Sequence, residues 1–231
     1  MISEVTNEDN MVMMARYPDK FFDLAVVDPP YGIKESGQRN VTGDRPTKKW
    51  ANPKSKKYLK FDDSSTPNAE YFIELKRVSK NQIIWGGNYF TEYLTPSKGW
   101  IVWDKKADIK EHLSMCELAW SSFDCKCNKF EFLWAGFKKA IQEQRIHVTQ
   151  KPVSLYVWLL NNYANTNDKI LDTHLGSGSS RIAAYDLGFD FYGCELDKIY
   201  YQAQEKRFAT HIAQTKLFAP EQKLAEQIKI F

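Results

Sequence analysis

Long apolar runs are missing from this chain of 231 residues, and cysteine is scarce, with four residues. No run approaches the roughly 20 apolar residues that a bilayer-spanning helix needs, so no membrane partner is expected. Met1-Ile2-Ser3-Glu4 lacks the basic and apolar regions of a secretion signal. Cys116, Cys125, Cys127 and Cys194 show no disulfide-framework spacing in a chain of this length. We therefore predict a cytoplasmic protein with reduced thiols.

Metal-ligand spacing is missing as well. Cys125-Lys126-Cys127 has a one-residue gap and no second pair nearby, so a zinc site is not expected and we predict no metal. The composition, with 43% hydrophobic and 26% charged residues, is typical of a soluble globular protein.

Positive charge is concentrated in one segment, although the formal net charge is only +3. Residues 34–60 hold Glu35 and Asp44 as their only acids, against nine basic residues: Lys34, Arg39, Arg45, Lys48, Lys49, Lys54, Lys56, Lys57 and Lys60. A block of this density is typical of a solvated loop, and it also suits contacts with phosphate groups.

A short apolar stretch, Leu24-Ala25-Val26-Val27, runs into Asp28-Pro29-Pro30-Tyr31. The pattern predicts a buried strand that stops abruptly, because neither proline can donate to a continuing ladder. Residues before proline also favour extended backbone, which stiffens the turn. The turn would present a carboxylate, backbone carbonyls and an aromatic ring, which suit a planar ring bearing an amino group. A plain strand end with a proline stop is the simpler interpretation of these residues alone.

Strand-like and helix-like segments alternate along the chain. The apolar runs that predict the main strands lead into five positions: Asp28, Gly86, Asp104, Asp172 and Glu195. The alternation predicts an α/β fold, a doubly wound and mostly parallel sheet in a single domain over residues 1–231. Ligands of such sheets bind outside the carboxyl ends of the strands, so all five positions are expected to face one crevice.

A Gly-x-Gly turn, Gly176-Ser177-Gly178, follows the predicted strand that ends at Asp172. Glycine lets the backbone take positive φ and lets a ligand approach closely. Glu195 ends the next strand, 17 residues after Gly178, where an acid can accept hydrogen bonds from ribose hydroxyls. Arg181 stands where the dinucleotide fingerprint has its third glycine. The loop therefore favours an adenosine ligand without a pyrophosphate.

These segments resemble the S-adenosylmethionine-dependent DNA amino-methyltransferases. Asp28-Pro29-Pro30-Tyr31 is similar to their catalytic motif, and the segment from Asp172 to Ser179 is similar to their glycine loop, Asp-Pro-Phe-x-Gly-Ser-Gly-Thr. His147-Val148-Thr149-Gln150-Lys151-Pro152 is similar to the His-Pro-Thr-Gln-Lys-Pro segment that precedes that loop. The catalytic motif comes first, which is the permuted order of the beta group. The resemblance implies a Rossmann-like methyltransferase fold with circularly permuted motif order. The chain departs from the pattern at Val148, Thr173 and His174.

The resemblance implies a role for each residue of the catalytic motif. Asp28 would accept a hydrogen bond from the target amine, and the Pro29 carbonyl would take the second hydrogen. Pro30 completes the motif, and Tyr31 would stack on a base flipped out of the duplex. Positioning would carry much of the catalysis, since the proton can leave after methylation. An aspartate at the head of the motif favours adenine over cytosine.

The same resemblance implies S-adenosylmethionine as the cofactor. Glu195 would bind its ribose, Asp9 its adenine, and Lys151 and Thr149 would lie close to its carboxylate. The full set expected around the cofactor is Asp9, Asp28, Thr149, Lys151, Asp172, His174, Gly176, Ser177, Gly178 and Glu195.

Double-stranded DNA is the expected partner, bound through a basic loop at about 32–60 and a short candidate target-recognition segment at about 121–146. The residues expected to contact DNA are Arg39, Arg45, Lys48, Lys49, Lys54, Lys56 and Lys57. A homodimer is a further prediction. The helical C-terminal tail holds two peptides, 214–218 and 227–231, that resemble the Gln-x-x-Leu-Phe peptides docking on bacterial sliding clamps. Packing of an amphipathic tail on its own domain is the alternative.

Three functional alternatives remain open: methylation of the 4-amino group of cytosine, methylation of RNA, and DNA binding without catalysis on a methyltransferase fold. RNA adenine and protein glutamine methyltransferases usually carry the glycine loop first, which argues against them. Five intact residues argue against a non-catalytic protein: Asp28, Tyr31, Gly176, Gly178 and Glu195.

Overall fold

One eight-stranded sheet organises the chain in the computed structural model, which describes residues 1–33, 66–106, 114–135, 138–139, 145–147 and 149–218. The strands are β1 (Ser3–Thr6), β2 (Phe22–Val27), β3 (Ser79–Trp85), β4 (Ile101–Asp104), β5 (Cys116–Ser121), β6 (Asn128–Glu131), β7 (Trp134–Ala135), β8 (Lys138–Lys139), β9 (Lys169–Asp172) and β10 (Asp190–Cys194). The helices are α1 (Asn10–Met14), α2 (Ala69–Val78), α3 (Val153–Tyr163), α4 (Ser179–Leu187) and α5 (Lys198–Phe218), with a 3-10 turn at Gly87–Tyr89.

The strand order is β1-β10-β9-β2-β3-β5-β4-β6. The first five of these strands are mutually parallel, whereas β5 runs antiparallel to both β3 and β4. From β9 the chain moves through α4 to β10 on one side, and from β2 through α2 to β3 on the other. The order therefore reverses between β9 and β2, which is the switch point of a doubly wound sheet. The predicted fold class is confirmed.

Helices cover both faces of the sheet, because the buried strands are apolar on both sides. Alternate residues of β2 enter different cores, with Leu24 and Val26 on one face and Ala25 and Val27 on the other. The first core is shared with α3 and α4, and the second with α1 and α2. Near-continuous apolar strands are what a parallel sheet buried on both faces requires.

Side-chain caps fix where the helices begin. Asp9 lies at the N-cap of α1 and accepts hydrogen bonds from the backbone of Met11 and Val12, and Asn68 caps α2 through the backbone of Tyr71. Such caps satisfy amide groups that the first helical turn leaves without a partner. They begin the two helices that line one side of the switch point.

The segment at 121–146 contains structure that the sequence pattern does not indicate. β6 adds an edge strand beside β4, and β7 pairs with β8 in a separate two-stranded ribbon. The predicted DNA-contacting residues at 39–57 and the peptide at 227–231 lie outside the described residues. The peptide at 214–218 forms the last turn of α5. Within the described ranges, no helix combines the length and apolar character needed to cross a membrane.

Candidate active site

The site lies where β2 and β9 end side by side. These neighbours are parallel, with Leu24 opposite Ile170 and Ala25 opposite Leu171. Asp28 follows the last residue of β2, and Asp172 is the last residue of β9. Because adjacent strands are about 4.8 Å apart, the topology brings together two motifs that are 144 positions apart in the chain.

Both carboxylate oxygens of Asp28 accept hydrogen bonds from donors inside the crevice. The Tyr31 hydroxyl donates to Oδ1 at 2.6 Å, and Nζ of Lys151 donates to Oδ2 at 2.5 Å. Pro29 is buried directly after this carboxylate, and its fixed φ restricts the turn. The carboxylate is therefore held in one orientation by contacts within the chain itself.

Tyr31 is packed into a slot that only glycine can form. A Cβ built on Gly86 would lie 2.2 Å from Cε1 of Tyr31, and Gly86 has a φ of +68°. Tyr89, in the adjacent 3-10 turn, stacks on Tyr31 with ring centroids 5.0 Å apart and planes 15° apart. Burial and then the charge of Asp28 hold the pKa of Tyr31 well above its usual range. The hydroxyl is thus a neutral donor at physiological pH.

Lys151 connects the Asp28 turn to a carboxylate that sequence reasoning missed. Its Nζ lies 3.1 Å from Oε2 of Glu117, on β5, and Oε1 of Glu117 lies 2.6 Å from Nζ of Lys105. Lys151 is 4% exposed and also lies over the Trp85 ring, 5.3 Å from its centroid. Burial acts to lower the pKa of Lys151, but the charges of Asp28 and Glu117 outweigh it and raise that pKa.

The glycine loop takes the backbone conformation that its sequence predicts. Gly176 and Gly178 have φ values of +52° and +72°, which glycine adopts without the steric cost of a Cβ. Gly178 also begins α4 as its N-cap. Ser177 is buried within the loop, where its hydroxyl lies 3.1 Å from that of Ser179.

Asp172 holds the loop together from inside. Oδ1 accepts from the backbone of His174 at 3.0 Å, and Oδ2 accepts from the hydroxyl of Ser180 at 2.6 Å. Burial outweighs these hydrogen bonds and raises the pKa of Asp172 to about 7, with a smaller contribution from the charge of Asp28. The carboxylates of the two strand ends therefore act on each other through their charges.

Glu195 follows β10 and clamps the loop from the other side. Oε2 accepts from the backbone of Gly176 at 2.7 Å, and Oε1 accepts from the backbone of Asp197 at 2.9 Å. Burial raises the pKa of Glu195, against those two hydrogen bonds. Its place beside Gly176 agrees with the pairing of glycine loop and acid that the spacing predicts.

His174 belongs to a neutral hydrogen-bonded group. Nε2 lies 3.1 Å from Nδ2 of Asn10, and Nδ1 lies 3.0 Å from Oγ1 of Thr173. The Tyr71 hydroxyl is 2.7 Å from the same Oγ1. Burial lowers the pKa of His174 to about 4, so the imidazole is uncharged at neutral pH. Tyr71 was not among the predicted site residues, because in sequence it reads only as an apolar position of α2.

Thr149 and Asp9 lie near the crevice with local contacts of their own. The backbone N–H and the hydroxyl of Thr149 lie 3.3 Å and 3.0 Å from Nδ1 of His147. The His147 ring lies close to Gly176, 3.8 Å from the point where a Cβ would be. Asp9 is an exposed helix cap. Their predicted contacts with a cofactor stay predictions.

Asp104 does not join the crevice, which corrects the expectation from the strand-end rule. β5 lies between β4 and β3, and Asp104 lies 3.9 Å from Nζ of Lys129, on the edge strand. Glu117, on β5, is the acid that lies beside Lys151 instead. The rule assumes that successive strands lie next to one another, and the antiparallel insertion of β5 breaks that assumption.

Arg181 shows why the third glycine of a dinucleotide fingerprint is missing. Its guanidinium is buried, bonded to Gln204 at 3.0 Å and Glu205 at 2.5 Å. It also lies over the Phe208 ring at 3.9 Å. The position thus ties α4 to α5 through a buried side chain.

Comparisons with known proteins agree with this geometry. A family model described as DNA methylase matches residues 81–206, more than half of the chain. The chain is 26% identical to the type II methyltransferase M2.DpnII of Streptococcus pneumoniae, covering 88% of each protein. The crystal structure of the M1.HpyAVI-SAM complex is similar with a TM-score of 0.55 and 20% identity, over 90% of this chain and 100% of that one. The PvuII DNA methyltransferase, described as cytosine-N4-specific, gives a TM-score of 0.57 and 11% identity, over 88% and 85%.

Proposed function

This chain belongs to the DNA methylase family, and we propose that it methylates the 6-amino group of adenine in double-stranded DNA. The predictions of an S-adenosylmethionine-dependent DNA methyltransferase and of its cofactor are confirmed at the level of the family. The choice of base and the roles of individual residues are proposals. The observation that carries them is the Asp28 carboxylate, fixed by Tyr31 and Lys151 at the switch point of the sheet.

The glycine loop fits the cofactor. Gly176 has positive φ, and the atoms nearest to a Cβ there would be ring atoms of His147, at 3.8–3.9 Å; a glycine at this position lets a ligand approach the backbone closely. Glu195 is partly exposed beside it and is suited to accept from ribose hydroxyls. When bound, S-adenosylmethionine supplies a methyl group made electrophilic by its sulfonium. Asp172 would hold the loop in shape through its hydrogen bonds to His174 and Ser180.

The Asp28 turn fits an amine. A carboxylate and the Pro29 carbonyl, which follows it directly, are both acceptors, and an exocyclic amine offers two hydrogens. Holding both hydrogens would direct the nitrogen lone pair along the line of methyl transfer, and orientation of this kind contributes much of a catalytic rate. The base must leave the duplex to reach the turn, and the family resemblance assigns stacking on that base to Tyr31.

Methylation of cytosine at its 4-amino group is the second candidate. The structural likeness to a cytosine-N4-specific enzyme supports it, because the same acceptors would serve either amine. The aspartate that begins the Asp28 motif favours adenine by resemblance. A non-catalytic DNA-binding protein is disfavoured because the carboxylate, the glycine loop and Glu195 are present together.

Single-molecule methylation mapping of DNA from cells that express the chain tests the proposal. We expect 6-methyladenine in a defined or relaxed sequence context for the wild type, and none for Asp28→Asn, which keeps the shape of the side chain. Methylcytosine would favour the second candidate. No methylated base, together with cofactor binding in vitro, would favour the non-catalytic alternative. An assay of labelled methyl transfer to RNA and to DNA shows which of the two polymers is the substrate.

DNA affinity is proposed to come largely from the basic segment at 32–60. Neutralising Lys54, Lys56 and Lys57 should weaken binding and reduce the dependence of affinity on salt, because fewer phosphate counterions are released. An unchanged salt slope would contradict this. The homodimer and the sliding-clamp contact stay predictions, to be checked by light scattering and by clamp pulldown with and without residues 226–231.

A further inference from the structure

Four charged side chains form a row across the carboxyl edge of the sheet, with alternating sign. Asp28 lies 2.5 Å from Lys151, Lys151 lies 3.1 Å from Glu117, and Glu117 lies 2.6 Å from Lys105. The first two members belong to motifs described above. Glu117 and Lys105 belong to β5 and to the end of β4, and no motif includes them.

The row is shielded from water at its centre, so its charges interact strongly. Lys151 is 4% exposed and Glu117 is 24% exposed. Burial acts to raise the pKa of Glu117, but the ammonium groups of Lys151 and Lys105 outweigh it and lower that pKa to about 2. Glu117 is therefore ionised throughout the physiological range, and the row carries two negative and two positive charges.

The net charge of the row affects the methyl transfer proposed above. Transfer of a methyl group from the sulfonium to an amine forms an N–C bond and breaks an S–C bond, so the sulfur becomes neutral and the nitrogen gains a positive charge. A proton then leaves that nitrogen to solvent. With Glu117 ionised, the row is neutral and Asp28 can stabilise the positive nitrogen. Without that charge, Lys151 and Lys105 leave a net positive charge beside the reacting nitrogen.

We propose that Glu117 is a positioning residue for methyl transfer: it shares Lys151 with Asp28 and so keeps the acceptor site for the amine from becoming positively charged. The inference rests on the proposed function, because it assigns Asp28 to the amine. It adds to that function a residue 89 positions away in sequence, which acts through Lys151 without touching the substrate.

Glu117→Gln tests the proposal, because glutamine keeps the shape and removes the charge. We expect kcat to fall by about 10- to 100-fold, as for loss of electrostatic stabilisation of a transition state, while KM for DNA and cofactor affinity stay within about threefold. Glu131→Gln is the matched control. Glu131 forms ion pairs with Lys106 and Lys129 on the same edge of the sheet, and its loss should leave kcat unchanged.

A second substitution shows whether Glu117 acts through its charge or through its structural contacts. Lys105→Met in the Glu117→Gln background restores a neutral row, so kcat should recover at least tenfold if charge is what matters. A purely structural role predicts that the double variant is no better than the single one. That result, or a kcat within twofold of wild type for Glu117→Gln, would overturn the proposal.

The contact itself can be measured without methylation. The pH dependence of the Lys151 side-chain chemical shifts, followed by NMR on the protein alone, reports the pKa of its ammonium. We expect that pKa to fall in Glu117→Gln, since one of the two carboxylates that raise it is gone. An unchanged profile overturns the assignment even if the enzyme is active. If the Lys151 pKa falls in Glu117→Gln but the wild-type protein methylates no DNA, the proposed function is refuted and the contact is intact.

Discussion

The two strand ends that meet in the candidate active site are built from different interactions. At the end of β2, Asp28 is held by the phenol of Tyr31 in its own turn and by the ammonium of Lys151, 123 positions away in sequence. At the end of β9, Asp172 is held by a backbone N–H and a serine hydroxyl of its own loop. The first end therefore depends on an ion pair with a distant lysine, whereas the second depends on local hydrogen bonds alone.

The difference shows how one edge of the sheet can bind two ligands in different ways, one through a precisely placed backbone and the other through charge. A loop that receives a ligand closely must place its backbone accurately, and short-range hydrogen bonds do this without adding charge. A turn that accepts a developing positive charge gains from nearby carboxylates, whose effect reaches further. The two ends should therefore respond differently to backbone strain, to pH and to loss of charge.

The largest expected effect comes from filling the slot beside Tyr31. In Gly86→Ala the new Cβ would lie 2.2 Å from the Tyr31 ring, so the ring and its hydrogen bond to Asp28 must shift. We expect kcat to fall by about 100-fold, the cost typical of a displacement of about 1 Å in a positioned group. Steady-state kinetics of methyl transfer measure it.

Gly188→Ala is the matched control for this change. Gly188 has a φ of +80° and no atom within 4 Å of the added Cβ. It therefore carries the same backbone strain, about 1–2 kcal/mol, without touching the site. Its kcat should equal that of the wild type, and an equal loss in both variants would show that strain, and not the slot, explains Gly86.

The next largest effect is on the pH dependence of stability, and it concerns Asp172 at the end of β9. Because the folded-state pKa of Asp172 is raised to about 7, from an unfolded value of about 3.9, its contribution to stability is greatest below the unfolded pKa. That contribution is lost as pH rises through about 7. We expect the free energy of unfolding of the wild type to fall by about 3 kcal/mol more than that of Asp172→Asn between pH 5 and pH 8.

Chemical denaturation of the ligand-free protein at both pH values measures this difference. His147 and His174, whose pKa values burial lowers to about 4, act in the opposite direction but are common to both proteins. Asp124→Asn, at a side chain that is 87% exposed, should follow the wild type. A wild type and an Asp172→Asn variant with parallel pH profiles would contradict the buried, proton-binding state of Asp172.

The smallest expected effect is at the outer end of the charged row. Lys105→Met alone leaves a net negative row, which does not oppose a positive nitrogen, so kcat should stay within about threefold of wild type. Lys98→Met, at an ion pair that is 81% exposed on its lysine side, provides the surface reference. A tenfold loss in Lys105→Met would mean that the row acts through its geometry and not its net charge.

The contiguous parts of the site could be predicted from sequence because their geometry is local. Proline fixes the turn after Asp28, and the positive φ values at Gly176 and Gly178 need glycine. Alternating strands and helices were enough to predict a doubly wound sheet, because both faces of β2 and β9 are apolar. The 17 residues from Gly178 to Glu195 are the length that one helix, α4, and one strand, β10, require.

Glu117, Tyr71 and Gly86 needed the three-dimensional fold. Glu117 reaches Lys151 only because β5 enters antiparallel between β3 and β4, a strand order that no local pattern encodes. Tyr71 looks like any apolar position of a helix until its hydroxyl meets Thr173. Gly86 was placed at the crevice by the strand-end rule, but its contact with Tyr31 depends on how the two turns pack.

The hydrogen bond from Tyr31 to Asp28 has a consequence for which bases the pocket would reject. The hydroxyl occupies the acceptor that an amine would use, so an aminated base exchanges one donor for another. In place of that amine, thymine has the carbonyl oxygen O4 and guanine has O6, and neither oxygen carries a hydrogen. Facing Asp28, they would leave two acceptors opposed, at a cost of about 1–3 kcal/mol for each unpaired buried group. The acceptor that receives the Tyr31 hydroxyl would thus discriminate against a keto oxygen in place of the amine.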